Sequence, residues 1–123
     1  MTTIVIRLHP SEVLNANQRP HWARKARLTS NLRDWGAFAW DRAGRPQMDR
    51  AHVTVTLGYP DRRKRDAHNL MPTIKGLIDG LVNPGTWGIL PDDSDAHLTG
   101  PDLRIGDVTP GEFTFTFRFE ELP

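Results

Sequence analysis

Phe113, Phe115, Phe117 and Phe119 occupy alternate positions, so in an extended chain all four rings stand on one face. Such a face must be covered by apolar surface, and two segments can supply it. From Trp22 to Trp40, the positions of Leu28, Leu32, Trp35 and Ala39 make one helical stripe, with Arg27, Ser30 and Arg33 on the far side. The second segment carries Ile74, Leu77, Ile78 and Leu81 at i, i+3, i+4 and i+7. Asn69 reads as its cap, and Pro72 is tolerated because it falls in the first turn. Thr3 to Leu8 and His52 to Gly58 alternate as half-buried strands, pointing Ile4, Ile6 and Leu8, and Val53, Val55 and Leu57, inward. Leu103 to Val108 is a further strand candidate, and residues 84 to 100, rich in Gly, Pro and Asp, read as an irregular loop. The expected fold is therefore α+β in two layers, a mixed or mostly antiparallel sheet covered by two amphipathic helices. One domain over residues 1–123 suffices for a chain of this length. Helical spacing assigns Trp35 and Trp40 to the core and leaves Trp22 and Trp87 open between packing and base stacking.

Composition narrows the chemistry. With 37% hydrophobic and 25% charged residues the chain has the balance of a soluble globular protein. The opening MTTIVIRLHP has only a short apolar run and no preceding basic region, so a strand is expected there rather than a signal peptide, with no membrane association and a cytoplasmic location. The absence of cysteine excludes disulfides, thiolate metal sites and cysteine nucleophiles. The net charge of +1 hides an asymmetry: residues 1–65 hold 13 Lys and Arg against 5 Asp and Glu, whereas residues 66–123 hold 3 against 10. A basic half suits a polyanion and an acidic half suits cations, although the two could also neutralise each other within one fold.

Three features meet between Asp61 and Asp95. Arg62, Arg63, Lys64 and Arg65 are adjacent cations, acceptable in a solvated turn and favoured further when phosphates displace condensed counterions. Asp66, His68 and Asn69 follow immediately before the second helix, and Asp92, Asp93 and Asp95 lie in the loop after it. Clustered carboxylates are relieved by a bound cation, and Mg²⁺ takes oxygen ligands, often only one or two from the protein. Phosphodiester hydrolysis is chemistry that such an ion supports. Lys75 is either a surface lysine paired with Asp79 at i, i+4 or a cation for the scissile phosphate. Arg24, Lys25 and Arg27 are candidate DNA contacts that a solvated helix face explains nearly as well, and His97 is a further candidate beside the acidic loop.

The run Pro60-Asp61-Arg62-Arg63-Lys64-Arg65-Asp66-Ala67-His68-Asn69-Leu70, then Lys75 with Asp79-Gly80-Leu81, then Leu90-Pro91-Asp92-Asp93, resembles the signature of the RusA family of Holliday junction resolvases. The resemblance is concentrated in residues 60–95. It implies a homodimeric endonuclease that cuts four-way DNA junctions with Mg²⁺ or Mn²⁺. Asp66, Asp92 and Asp93 would stand at the metal, with Asp66, Asp93 and Lys75 carrying catalysis, while His68 is read from its own chemistry as an auxiliary metal ligand, or as a general base or phosphate contact with Asp92 or Asp95 completing the metal shell. Arg24, Lys25, Arg27, Arg62, Arg63, Lys64, Arg65 and Asn69 would touch DNA. Two departures are visible: His68 stands where the family has its second aspartate, which favours Mn²⁺, and five residues separate Asn69 from Lys75, more than in the family's best-known pattern. The rival expectation is a branched-DNA-binding protein without cleavage activity. A third is a partner-binding scaffold.

Overall fold

The computed structural model describes all 123 residues. Strand β1 (Thr2–Leu8) leads through a 3₁₀ turn, Pro10–Glu12, to helix α1 (Trp22–Arg42). Strand β2 (Ala51–Gly58) is followed by a second 3₁₀ turn, Ala67–Leu70, that runs directly into helix α2 (Met71–Val82). Strands β3 (Leu98–Ile105) and β4 (Phe113–Glu121) complete the chain. The sheet order is β1-β4-β2-β3, with β1/β4 and β4/β2 antiparallel and β2/β3 parallel. It is a two-layer α+β fold built on a mixed sheet. No helix is long and apolar enough to cross a membrane.

Alternation places the core where the phenylalanines require it. Phe115, Phe117 and Phe119 are fully buried together with Ile4, Ile6, Leu8, Val53, Val55 and Leu57 from the flanking strands. Thr, Arg and His alternate with them on the opposite, uncovered face. Both helices close the apolar face, α2 burying Ile74, Leu77, Ile78 and Leu81 and α1 burying Leu28, Leu32, Gly36 and Trp40.

The helices also touch one another, and here glycine is required. A Cβ on Gly80 would sit 2.0 Å from the Arg33 carbonyl oxygen, and one on Gly36 would sit 2.3 Å from that of Leu77. Both obstacles are backbone atoms, so no rotamer change relieves them.

Three expectations need correcting. Trp35 is 37% exposed rather than core, because Gly36 takes the central position against α2 and turns Trp35 outward beside Phe38. The cap is Asp66, not Asn69: its carboxylate accepts the His68 N–H at 3.0 Å and starts the 3₁₀ turn, while α2 itself has no side-chain cap. Strand β3 begins at Leu98, five residues before Leu103, because Gly100 and Pro101 are absorbed at an irregularity in its pairing with β2 instead of ending a loop.

Gly80→Ala is expected to cost about 3 kcal/mol, since overpacking against rigid backbone must part the helices; a urea midpoint equal to that of the parent would refute the close-packed crossing.

Candidate functional site

The β2-α2-β3 unit decides where the acids go. Because β2 and β3 run parallel, with Ala51 opposite Leu98 and Leu57 opposite Ile105, the chain must travel back along the sheet through α2 before β3 can start. Asp66 follows the carboxyl end of β2, whereas Asp92 and Asp93 precede the amino end of β3. Asp66 and the Asp92–Asp93 pair therefore flank opposite ends of α2. Backbone bonds fix the far loop to the start of β2, with Met48 N–H donating to the Ile89 carbonyl and Ala51 N–H to that of His97, both at 2.9 Å.

Two cavities therefore form at opposite ends of α2 and share no lining residue. The first, about 540 Å³, is lined by Arg33, Asp79, Asn83, Trp87, Asp92 and Asp93 among others. Burial pushes the Asp79 carboxyl above its ordinary value; Arg33 opposes the rise, the Asp93 carboxylate adds to it, and Lys75 opposes it. Arg33 Nε lies 3.8 Å from Asp79 Oδ2, and the Asp79 side chain is 40% exposed. Asp92 shifts in the opposite sense: its Oδ1 accepts the Ser94 N–H at 2.8 Å, and hydrogen bonds from Ser94 hold its carboxyl below the usual range.

The second cavity, about 430 Å³, lies where β1 and β2 both end, and takes in Asn15, Asn17, Tyr59, Lys64, Arg65, Asp66 and Asn69. Its walls are strapped in place. Thr73, buried in α2, accepts the Leu14 N–H at 2.8 Å and donates to the Leu14 carbonyl at 2.7 Å, and the Ala16 N–H reaches the Asn69 carbonyl at 2.8 Å.

The basic run is divided. Asp61 binds Arg65 at 2.6 Å and Arg63 at 3.1 Å, and these bonds hold its carboxyl far below the usual carboxylate range. The Arg65 side chain is only 19% exposed and lies 5.0 Å over the Tyr59 ring, so its charge is already engaged within the fold. Arg62 and Lys64 are exposed and form no ion pair. Arg24, Lys25 and Arg27 are exposed on the first turns of α1.

Thus the expected metal set of Asp66, His68, Asp92 and Asp93 is not gathered in this chain, and no three His, Asp or Glu side chains converge as a ligand group. His68 is exposed and its ring forms no hydrogen bond. His97 Nδ1 lies 2.8 Å from the Asp49 carbonyl oxygen and ties the acidic loop to the residues before β2. What the fold does bring together is Asp79 with Asp93, beside Arg33 and within the field of Lys75. Sequence reasoning treated Asp79 as a helix-surface partner of Lys75 and Arg33 as a solvated residue. The Asp79-Gly80-Leu81 step was the signal for the first, and the second had none, because Arg33 meets Asp79 only through the helix crossing.

No protein-family model matches the chain, and a search of curated proteins finds no match.

In a carboxyl ¹³C titration, Asp79 is expected to ionise above the ordinary aspartate range and to move down in Asp93→Asn, which removes a repelling charge. A raised folded value means the folded state favours the neutral acid. The resulting penalty on stability is absent below the ordinary value of 3.8 and is fully present once the pH passes the raised one. An Asp79 resonance unmoved by Asp93→Asn would show that the two carboxylates do not interact. Separately, Thr73→Val should lower stability by roughly 2 kcal/mol, because it leaves both Leu14 backbone groups buried and unpaired; an unchanged urea midpoint would show that the strap carries no energy.

Proposed function

We propose that this protein is a divalent-metal-dependent endonuclease acting on branched DNA, of the RusA type, with its reaction centre at Asp79 and Asp93. The observation that carries the reading is the approach of these two carboxylates in one cleft, at the end of a helix whose other end carries the basic run. Two carboxylates plus water and a substrate phosphate meet the needs of a hard cation. The residues fit Mg²⁺ better than Mn²⁺, since His68, the reason to expect manganese, lies at the other end of α2. When bound, such an ion supplies an activated water and offsets charge on the phosphoryl oxygens.

The chain's own groups would do the rest. Exposed Arg62 and Lys64, with Arg24, Lys25 and Arg27 at the start of α1, hold the backbone of the DNA. Arg33 and Lys75 continue positive charge toward the acidic cleft. Trp87, 52% exposed on the cleft wall, offers a face to an unpaired base. A four-way junction has near-twofold symmetry, so a homodimer would present two such centres to it.

A second reading, a branched-DNA-binding protein that does not cut, is favoured by the separation of Asp66 and His68 from Asp92 and Asp93. A labelled four-way junction distinguishes them: nicking with Mg²⁺ at least equal to that with Mn²⁺ is expected, and shifted but intact DNA would establish the binder. Asp93→Asn and Asp79→Asn should each lower nicking at least about 100-fold, as loss of groups that fix transition-state charge does, while junction binding stays within a few-fold. Asp66→Asn, which preserves the turn cap, should keep more than a tenth of the parent rate. A loss equal to that of Asp93→Asn would move the metal to the other end of α2.

A further inference from the structure

The sheet ends in two edge strands, and they are built differently. In the order β1-β4-β2-β3, β1 and β3 each leave one side without a neighbour. Proteins guard such edges with proline, bulges and charge, because a bare row of N–H and C=O groups pairs with an extended chain that meets it. Strand β3 has those guards: Pro101, an irregularity in its pairing between His52 and Thr54, and the charges of Asp102 and Arg104. Strand β1 has almost none. All seven residues from Thr2 to Leu8 pair in continuous register with β4, without proline or bulge, and Arg7 is the one charge among them. None of its backbone groups bonds to anything beyond the sheet.

An apolar wall stands beside this open edge. Trp35 and Phe38 of α1 are 37% and 53% exposed and meet edge to face, and with Val5, 50% exposed, they border a groove of about 600 Å³ between α1 and β1. Large apolar side chains gathered at one exposed place mark an interaction surface.

The residues along that wall are arranged symmetrically about its middle. On α1, Asp34 lies four residues before Phe38 and Arg42 four residues after it, so all three share one side of the helix. Asp34 and Arg42 are exposed, and the ion pairs of α1 are made instead by Arg33 with Asp79 and by Asp41 with Arg45. A second copy related by a twofold axis at Phe38 runs its α1 antiparallel and sets each Asp34 against Arg42 of the other copy. On β1 the same axis at Val5 puts Val5 against Val5 and Thr3 against Arg7, so no like charges meet. An axis at Arg7 would oppose two guanidiniums. The spacing fits as well: strands lie about 4.8 Å apart and packed helices about 10 Å, so two helices cover four strands, and joining two sheets at β1 sets α1 beside α1 at the separation that α1 keeps from α2.

We propose that the edge of β1 and the Asp34, Phe38 and Arg42 side of α1 form an isologous interface with a second copy of this chain, in which the two sheets join antiparallel through β1 and Trp35 and Phe38 pack across the axis. The interface supplies the contact for the homodimer of the proposed function, and rests on that reading only for what the dimer does with DNA.

The test is run on the full chain without DNA or metal. Sedimentation equilibrium is expected to show a dimer. Asp34→Arg and Arg42→Asp should each weaken it at least about tenfold, because like charges then face each other at two places, and the chain carrying both changes should return to within a few-fold of the parent. The absence of cysteine gives a second readout: a short bis-maleimide should join two chains efficiently through Val5→Cys, which faces itself across the axis, and poorly through Thr3→Cys, which faces Arg7. A chain that stays monomeric would overturn the proposal and leave the edge to a strand from a different protein. A dimer indifferent to the single charge reversals, a loss that the double reversal does not restore, or equal cross-linking through Thr3→Cys and Val5→Cys would overturn it too. A dimer that never nicks a junction leaves the interface standing and removes the nuclease, whereas a monomer that nicks does the reverse.

Discussion

The parallel pairing of β2 with β3 is the constraint from which the rest of the molecule follows. Adjacent parallel strands cannot be joined by a tight turn, so the chain must return through a covering element, and α2 is that element. This single topological fact sends everything written just before α2 to one end of the sheet and everything written just after it to the other. It also forces α2 to lie flat on the sheet beside α1, which the two chains of backbone permit only because Gly36 and Gly80 carry no side chain at the crossing. Arg33 of α1 reaches Asp79 of α2 through that contact.

The outcome is a molecule polarised along its helices. At one end, donors dominate: exposed Lys64 and Arg62, three asparagines, and a phenol left without a partner. At the other, Asp79 and Asp93 share a cleft in which burial, with the Asp93 charge adding to it, holds the Asp79 carboxyl above its ordinary value. Each end is held by bonds that contribute little to the core itself. Thr73 ties Leu14 to α2, Asp61 organises two of the four consecutive cations, and His97 ties the acidic loop to Asp49. Such straps position groups whose own interactions are unfavourable in the isolated chain, which is the usual relation between a stable scaffold and a binding site.

Much of this architecture could be read from residue order. The Phe113 to Phe119 alternation, the Ile74 to Leu81 stripe and the inward residues of β1 and β2 are local periodicities, and burial follows them directly. Trp35 misled because helical spacing fixes a face only to within one residue's rotation, and the space against α2 belonged to a glycine that periodicity does not count. Strand β3 was legible only in its second half, because Gly100 and Pro101 are loop residues by propensity and strand residues by pairing. In the site, Asp92 and Asp93 were legible as an acidic loop, but the partner of Asp93 was not.

Sequence alone determined which residues are apolar on which face, where the charges cluster along the chain, and hence a two-layer sheet and helix fold with a basic segment and an acidic loop flanking one helix. Tertiary structure alone decided that those flanks do not meet, that Asp79 rather than Asp66 stands with Asp93, and that Tyr59 is buried without a partner. The reason is that periodicity is a property of neighbours along the chain, whereas the direction in which β3 pairs with β2, and the depth to which α2 sinks against α1, depend on contacts between residues far apart in it.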